Sequence, residues 1–331
     1  MNYLLMATLV PVFTLCGSHS LGIEPNAKPT TTFKYMWEAL DKKYALFEYK
    51  NISWDSVRQV YQSKIKDDMS DEALFDTLAS MLNVLRDGHA NLQSSFNRSR
   101  NWDWFLKYPQ NFNRTIQQRN YLKDNYMISG VVEHQFIDSV AYLYIPTFAE
   151  QISDETVDYL FSHYKHAKGL IIDIRNNGGG SAKNIFRFAA RIVESKTHVY
   201  SSWFKTGPSP NDFGNEMKVY AEPSDKTHFS GKVVILTNRA SFSASNRFAA
   251  VFSLFPNVTI IGDKTGGGGG TPCSVELPNG WTLRFSAMKT LLPNGDNLDD
   301  GIMPDIKVDI SPEDEAKGTD SIIERALSEI L

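Results

Sequence analysis

Four short apolar runs dominate the middle of the chain: AYLYIPTF, GLIIDI, KVVILT and NVTIIG, all between residues 141 and 262. Such runs are too short for an ordinary helix and carry no alternation. They read as strands buried on both faces. Helical periodicity fills the gaps between them. Ser153 caps a segment bearing Val157, Leu160, Phe161 and Tyr164, and another carries Ile185, Phe186, Ala189, Ile192 and Val193. A third helical pattern follows the serines of SFSASN. Apolar strands that alternate with amphipathic helices demand a sheet covered on its faces, which is α/β architecture. WTLRFSAMKT alternates apolar and polar residues and reads as antiparallel or edge strand. SIIERALSEIL closes the chain as a helix. The α/β core therefore spans 127–310, with a C-terminal helix in 311–331.

The texture before residue 127 differs. Phe33, Met36, Trp37, Leu40, Tyr44 and Phe47 share one helical face. Trp54, Val57, Val60 and Tyr61 suggest a second helix. Ser70 caps a third, whose core side carries Leu74, Leu78, Met81, Leu82 and Leu85. Gly88 in RDGHANL is expected to stop that helix ahead of a short strand. These residues make an N-terminal helical module over 32–92, and 93–126 reads as hairpin or irregular linker. Residues 21–31, rich in Pro and Thr, form a tether. The apolar stretch Leu4–Leu15 is too short to span a bilayer and fits the core of a signal peptide over 1–20. Export to the periplasm of a bacterium is the expectation. Cys16 sits where a lipoprotein cysteine would sit, although Phe13, Thr14 and Leu15 make a poor lipobox, so lipid attachment at the outer membrane and a free protein both stand. Cys273 is the only other cysteine, so no disulfide framework and no cysteine metal site is expected. The formal charge of −4, without a basic run, excludes a nucleic-acid partner as the reading.

Four stretches lie where open sheets place their chemistry, at strand or helix ends. In ILTNRASFSASNRFAAVF, three serines, Ser241, Ser243 and Ser245, stand where a strand becomes a helix. A serine there feels the positive end of the helix dipole and can present its oxygen as a nucleophile, or it can simply cap. DIRNNGGG ends a strand in glycines, whose free N–H groups can hold an oxyanion or merely make a tight turn. His89 in RDGHANL offers a base that titrates near neutrality. DKTGGGGG lacks the lysine spacing of a phosphate loop and reads as a substrate-lining loop or a linker. In NLDDGIMPD, Asp299 and Asp300 could orient a histidine.

These stretches agree in order and texture with one family. The chain resembles the tail-specific (C-terminal processing) and tricorn-type serine peptidases from about residue 33 to 310. GLIIDIRNNGGG looks like that family's strand and glycine turn, SFSASN like its S-x-S-A-S-E motif, GIMPDIKV like its G-[IV]-x-P-D ending, and LRDGHANL like the D-G-H-[TS] segment of the histidine-using branch. The resemblance implies a crotonase-like (ClpP/crotonase) core of stacked ββα units. It implies Ser243 as nucleophile, with oxyanion donors at Gly178 or Gly179 and at Ala244. His89 would be the base and Asp299 the acid, with no metal or organic cofactor. The substrate would be a peptide or unfolded protein, cleaved through an acyl-enzyme. Departures are visible. Gly268 falls where the lysine-using branch carries its base, and Lys264, four residues earlier, is the alternative base. Asn246 replaces the motif's glutamate, and 93–126 is too short for the family's PDZ domain. Two rivals remain: a peptidase fold that has lost activity and binds peptides, and an acyl-CoA enzyme of the wider crotonase class, which export disfavours.

Overall fold

The computed structural model of the chain describes residues 27–331. The expected signal peptide over 1–20, Cys16 and most of the expected tether lie outside the described residues. The chain divides into two compact units, the first comprising residues up to Arg100 together with Gly207–Asp212 and Pro272–Ala287. The second holds Asn101–Thr206, Phe213–Thr271 and Met288–Leu331. Among the described residues, no helix is long and apolar enough to cross a membrane.

The first unit carries helices α1 (Pro29–Lys43), α2 (Trp54–Gln62) and α3 (Asp71–Asn83). Phe33, Met36, Trp37 and Leu40 form the buried face of α1, as the periodicity predicts. Two indoles lock α1 to α2: Trp37 Nε1 donates to the Trp54 carbonyl at 3.2 Å, and Trp54 Nε1 returns the bond to Trp37 at 3.1 Å. Ser70 caps α3 through the Ala73 N–H, as its position implies. The stop at Gly88 is corrected: α3 ends at Asn83, and Arg86 takes the left-handed turn conformation at φ 46°. The expected strand follows at Asn91–Gln93. It joins a three-stranded antiparallel sheet with Pro272–Glu276 and Thr282–Ser286. This hairpin thus leaves the predicted 127–310 core and folds with the helical module. Its strand pairing joins segments far apart in sequence, which local periodicity does not encode. Cys273, within it, is buried.

The second unit is built on a seven-stranded sheet whose spatial order follows the chain: β1 (Met127–Ser129), β2 (Val132–Ile137), β3 (Val140–Tyr144), β4 (Gly169–Asp173), β5 (Lys232–Thr237), β6 (Val258–Gly262) and β7 (Ile306–Lys307). Strands β1 to β3 pair antiparallel and β3 to β7 parallel. Helices α4 (Asp154–His163), α5 (Lys183–Ala189) and α6 (Ala244–Phe252) cover one face and α7 (Ser321–Ile330) the other. Because side chains alternate along a strand, Leu170 and Ile172 pack with Phe188 and Phe248, while Ile171 packs with Ile322 and Ile323. Double coverage explains why these strands read as unbroken apolar runs. Met288–Leu291, Thr197–Phe204 and Met217–Ala221 form a separate antiparallel sheet. Residues 101–126 hold no hairpin; they form helical turns at Asp103–Leu106, Arg114–Ile116 and Gln117–Leu122. Asn113 starts the second by accepting the Thr115 and Ile116 N–H groups.

On β2, His134 is fully buried between the Ser129 hydroxyl at 2.9 Å and the Tyr164 hydroxyl at 2.8 Å. Burial, aided by the neighbouring His163, depresses its pKa to about 4. A histidine held neutral in the fold binds its proton more readily once unfolded. Its contribution to stability is complete above about pH 6.5, where both states are neutral, and is lost as pH falls toward 4. Between pH 7 and 4.5, urea unfolding of the wild type is expected to lose on the order of 2 kcal/mol more than His134→Gln. Equal losses would show that His134 is not the group responsible.

Candidate active site

Strand β5 ends at Thr237, and the chain turns through Asn238–Ser243 into α6. The three serines of this turn have different environments. Ser241 is fully buried and structural: its Oγ donates to the Ile174 carbonyl at 2.9 Å and accepts the Asn238 N–H at 3.1 Å. Ser245 is also fully buried, inside the first turn of α6. Only Ser243 keeps partial exposure, at the head of the helix.

Ser243 adopts φ 58° and ψ −115°, a region that side chains rarely enter and that costs on the order of 1–3 kcal/mol. Its neighbours hold it there. The Ser243 N–H donates to the Gly267 carbonyl at 2.9 Å, its carbonyl accepts the Arg247 N–H at 3.0 Å, and the Phe242 N–H donates to the Asn177 carbonyl at 3.1 Å. The serine turn is thus tied to the loops that follow β4 and β6.

The loop after β4 is the glycine turn. Gly179 has φ 94°, and a Cβ there would lie 2.8 Å from the Ala244 nitrogen and 2.9 Å from the Ser243 Cβ, so only glycine fits against the serine. Asn177 orients this turn from a buried position, donating from Nδ2 to the Ile145 carbonyl and accepting the Gly179 N–H at 2.9 Å. Gly179 therefore spends its N–H on Asn177. The Gly178 N–H makes no hydrogen bond among the described residues, and the residue is exposed. Ala244, the first helical residue, has an N–H that the helix cannot use. Beneath the turn, Arg175 is wholly buried. Burial opposes its charge, but the carboxylates of Asp173 and Asp320 outweigh that and keep it firmly protonated.

The glycine run is a loop packed closely against its neighbours. A Cβ on Gly267, at φ 77°, would meet the Asp299 carbonyl oxygen at 2.1 Å, so the Leu298–Gly301 turn lies directly on the run. Gly267 also forms a parallel bridge with Phe242. Ser243, Ala244, Gly178, Gly179 and the Asp299 backbone thus lie around the connected loops of one unit. Lys264 is half-buried at the end of β6, and its ammonium makes no hydrogen bond or ion pair among the described residues. His89 belongs to the first unit, where it is buried and its N–H donates to Asp87 Oδ1 at 2.8 Å. The role of Asn177 in orienting the glycine turn is not visible in the spacing of DIRNNGGG. Its type and setting, a polar residue beside glycine in a turn that follows a strand, are the signal that marks it. Among the described residues, no cluster of His, Cys, Asp and Glu could hold a metal ion.

Residues 139–308 match peptidase family S41, and residues 25–83 match the tricorn protease C1 domain. A Staphylococcus haemolyticus protein described as a probable CtpA-like serine protease is 27% identical over 186 residues, covering 54% of this chain and 35% of its own. The carboxy-terminal processing protease CtpA of Bacillus subtilis is 24% identical over 190 residues, covering 57% and 39%. The matched stretch thus spans well under half of either relative. Among solved structures, a Parabacteroides merdae protein assigned as a peptidase superposes with a TM-score of 0.88 at 43% identity, covering 92% of this chain and 97% of that one. The tricorn protease shares the fold at a TM-score of 0.61 and 14% identity, covering 92% of this chain and 36% of its own. The sheet and helices described above are consistent with the crotonase-like fold of these proteins. The chain belongs to peptidase family S41, within its tail-specific and tricorn-type group of serine peptidases.

Proposed function

We propose that this protein is an exported serine endopeptidase that cleaves peptides or unfolded proteins through an acyl-enzyme at Ser243. The observation that carries the reading is the strained backbone of Ser243 at the head of α6, against the glycine turn. Strain of this kind persists where neighbours enforce it and clusters at reactive residues. His89 serves as general base, taking the hydroxyl proton as Ser243 Oγ bonds to the substrate carbonyl carbon. The carbonyl π electrons move to oxygen, and the N–H groups of Ala244 and Gly178 stabilise that oxyanion. Gly178 is preferred to Gly179 because the latter already donates to Asn177. The imidazolium returns the proton to the leaving amine, and water then releases the acyl group by the same route. Asp299 holds the imidazole in the required tautomer. The leader-like run Leu4–Leu15 supports export, either free in the periplasm or anchored through Cys16.

A fluorophosphonate probe tests the reading. Covalent modification is expected on the tryptic peptide that contains Ser243. Modification elsewhere, or none, removes the nucleophile assignment. His89→Ala is expected to slow peptide cleavage by several orders of magnitude and Lys264→Ala only slightly. The reverse ranking would transfer the base to Lys264.

A further inference from the structure

Three buried polar contacts join α6 to the turn that carries Asp299. Thr265 Oγ1 donates to Asn246 Oδ1 at 2.6 Å and accepts the Ile302 N–H at 2.6 Å. Asn246 Nδ2 donates to the Leu298 carbonyl at 2.8 Å. Asn246 and Leu298 are fully buried, and Thr265 is 1% exposed. The direction of each bond is fixed by chemistry. A backbone N–H can only donate and a carbonyl can only accept, so the threonine must pass its own hydrogen to the amide oxygen, leaving the amide nitrogen to face Leu298. The two side chains thus grip both ends of the 298–302 turn, and Asn246 lies three residues, one helical turn, beyond Ser243.

We propose that Asn246 and Thr265 are positioning residues: together they form an uncharged clamp that fixes the Asp299 turn to the helix headed by Ser243. The clamp requires an amide. A carboxylate at position 246 could accept from Thr265, but it could not donate to Leu298, and two oxygens would then face each other without a hydrogen. The turn would shift, and with it two functional elements. One is Asp299 itself. The other is the glycine run, whose Gly267 carbonyl holds the Ser243 N–H and whose Gly267 Cα packs on the Asp299 carbonyl. Leu298 also packs with Ala250 on the same helix, so the turn has an apolar seat that keeps it folded when the polar clamp is cut. The clamp therefore sets alignment more than it sets stability. Displacements of about 1 Å suffice for hundredfold rate losses in a preorganised site.

This inference rests on the Ser243 peptidase reading, and the test separates the two. Peptide hydrolysis is measured for the whole protein as wild type, Asn246→Asp, Thr265→Val and Thr265→Ser, with thermal melting and fluorophosphonate labelling run alongside. Asn246→Asp and Thr265→Val are expected to lose about a hundredfold in kcat with KM within about twofold, because alignment of the reacting groups is what changes. Thr265→Ser keeps the hydroxyl and should recover most of the loss. If Asn246→Asp does not fold, the Thr265 pair decides alone. Equal kcat in Thr265→Val and Thr265→Ser, or a loss confined to KM, overturns the clamp. Wild type that reacts with the probe while all three variants keep wild-type kcat leaves the peptidase reading intact and removes only the clamp. A wild type that the probe does not label removes the peptidase reading itself.

Discussion

Ser243→Ala is expected to lower kcat for peptide cleavage by about four to six orders of magnitude while leaving the fold intact. The loss is large because the hydroxyl is the only group at this turn placed to form the acyl bond: Ser241 is sealed against Ile174 and Asn238, and Ser245 is buried within α6. Any residue other than glycine at φ 58° bears the same backbone strain, so alanine should melt within a few degrees of the wild type. Ser243→Gly separates strain from chemistry. It should be as inactive as alanine but more stable, by on the order of 1 kcal/mol once the extra chain entropy of glycine is subtracted from the relieved strain. Purified variants would be compared by active-site titration, progress curves on a denatured-protein substrate and thermal melting. Substantial cleavage by Ser243→Ala, after exclusion of contaminating protease, would discard Ser243 as the nucleophile, whereas a wild type that neither cleaves nor titrates would return the molecule to the reading of an inactive peptide-binding fold.

The sequence revealed the sheet because the sheet is covered on both sides. Leu170, Ile171 and Ile172 are all buried though they face opposite layers, and an unbroken apolar run is the imprint of that arrangement. Caps were equally legible, since Ser70 and Ser153 act within their own helices. What depends on distant partners was not. Thr282–Ser286 pairs with Asn91–Gln93, and nothing near either strand announces the other. The glycine run read as a loop because glycine is the usual mark of mobility. Glycine is needed here for another reason: Asp299 and its neighbours approach too closely for a side chain. The serine cluster offered three candidates by spacing, and family resemblance chose the middle one. The structure distinguishes the three by environment: Ser241 and Ser245 are fully buried, and Ser243 alone of the three has a positive φ. Asn246 registered only as a departure from a motif, since its partners Thr265 and Leu298 are visible only in three dimensions.

The largest expected loss of stability comes from the buried ion cluster under the glycine turn. Arg175 donates to Asp173 from Nε at 2.9 Å and Nη2 at 2.6 Å, to Asp320 from Nη1 at 2.9 Å, and to the Asn111 carbonyl at 3.2 Å. None of these three charged side chains touches solvent. Asp320 also caps α7 through the Ile322 and Ile323 N–H groups, and Asp173 accepts the Tyr142 hydroxyl. The guanidinium therefore ties a strand end, the 111 segment and the C-terminal helix together. Arg175→Met preserves most of the volume but leaves two buried carboxylates facing each other, a cost of about 3–5 kcal/mol or more. Asp320→Asn is the control. It keeps an acceptor for the guanidinium and a cap for α7, and it leaves one arginine opposite one carboxylate, so about 1 kcal/mol is expected. The two variants should also diverge with pH. In Arg175→Met the stranded carboxyls hold protons in the fold that the unfolded chain releases, so their folded pKa lies above the unfolded one. That variant should regain stability relative to the wild type as pH falls from 7 toward about 4, whereas Asp320→Asn should not. Urea unfolding at the two pH values reads both effects. A small loss in Arg175→Met, unchanged by pH, would mean that desolvation of the three charges nearly cancels their attraction and that packing alone holds the turn in place.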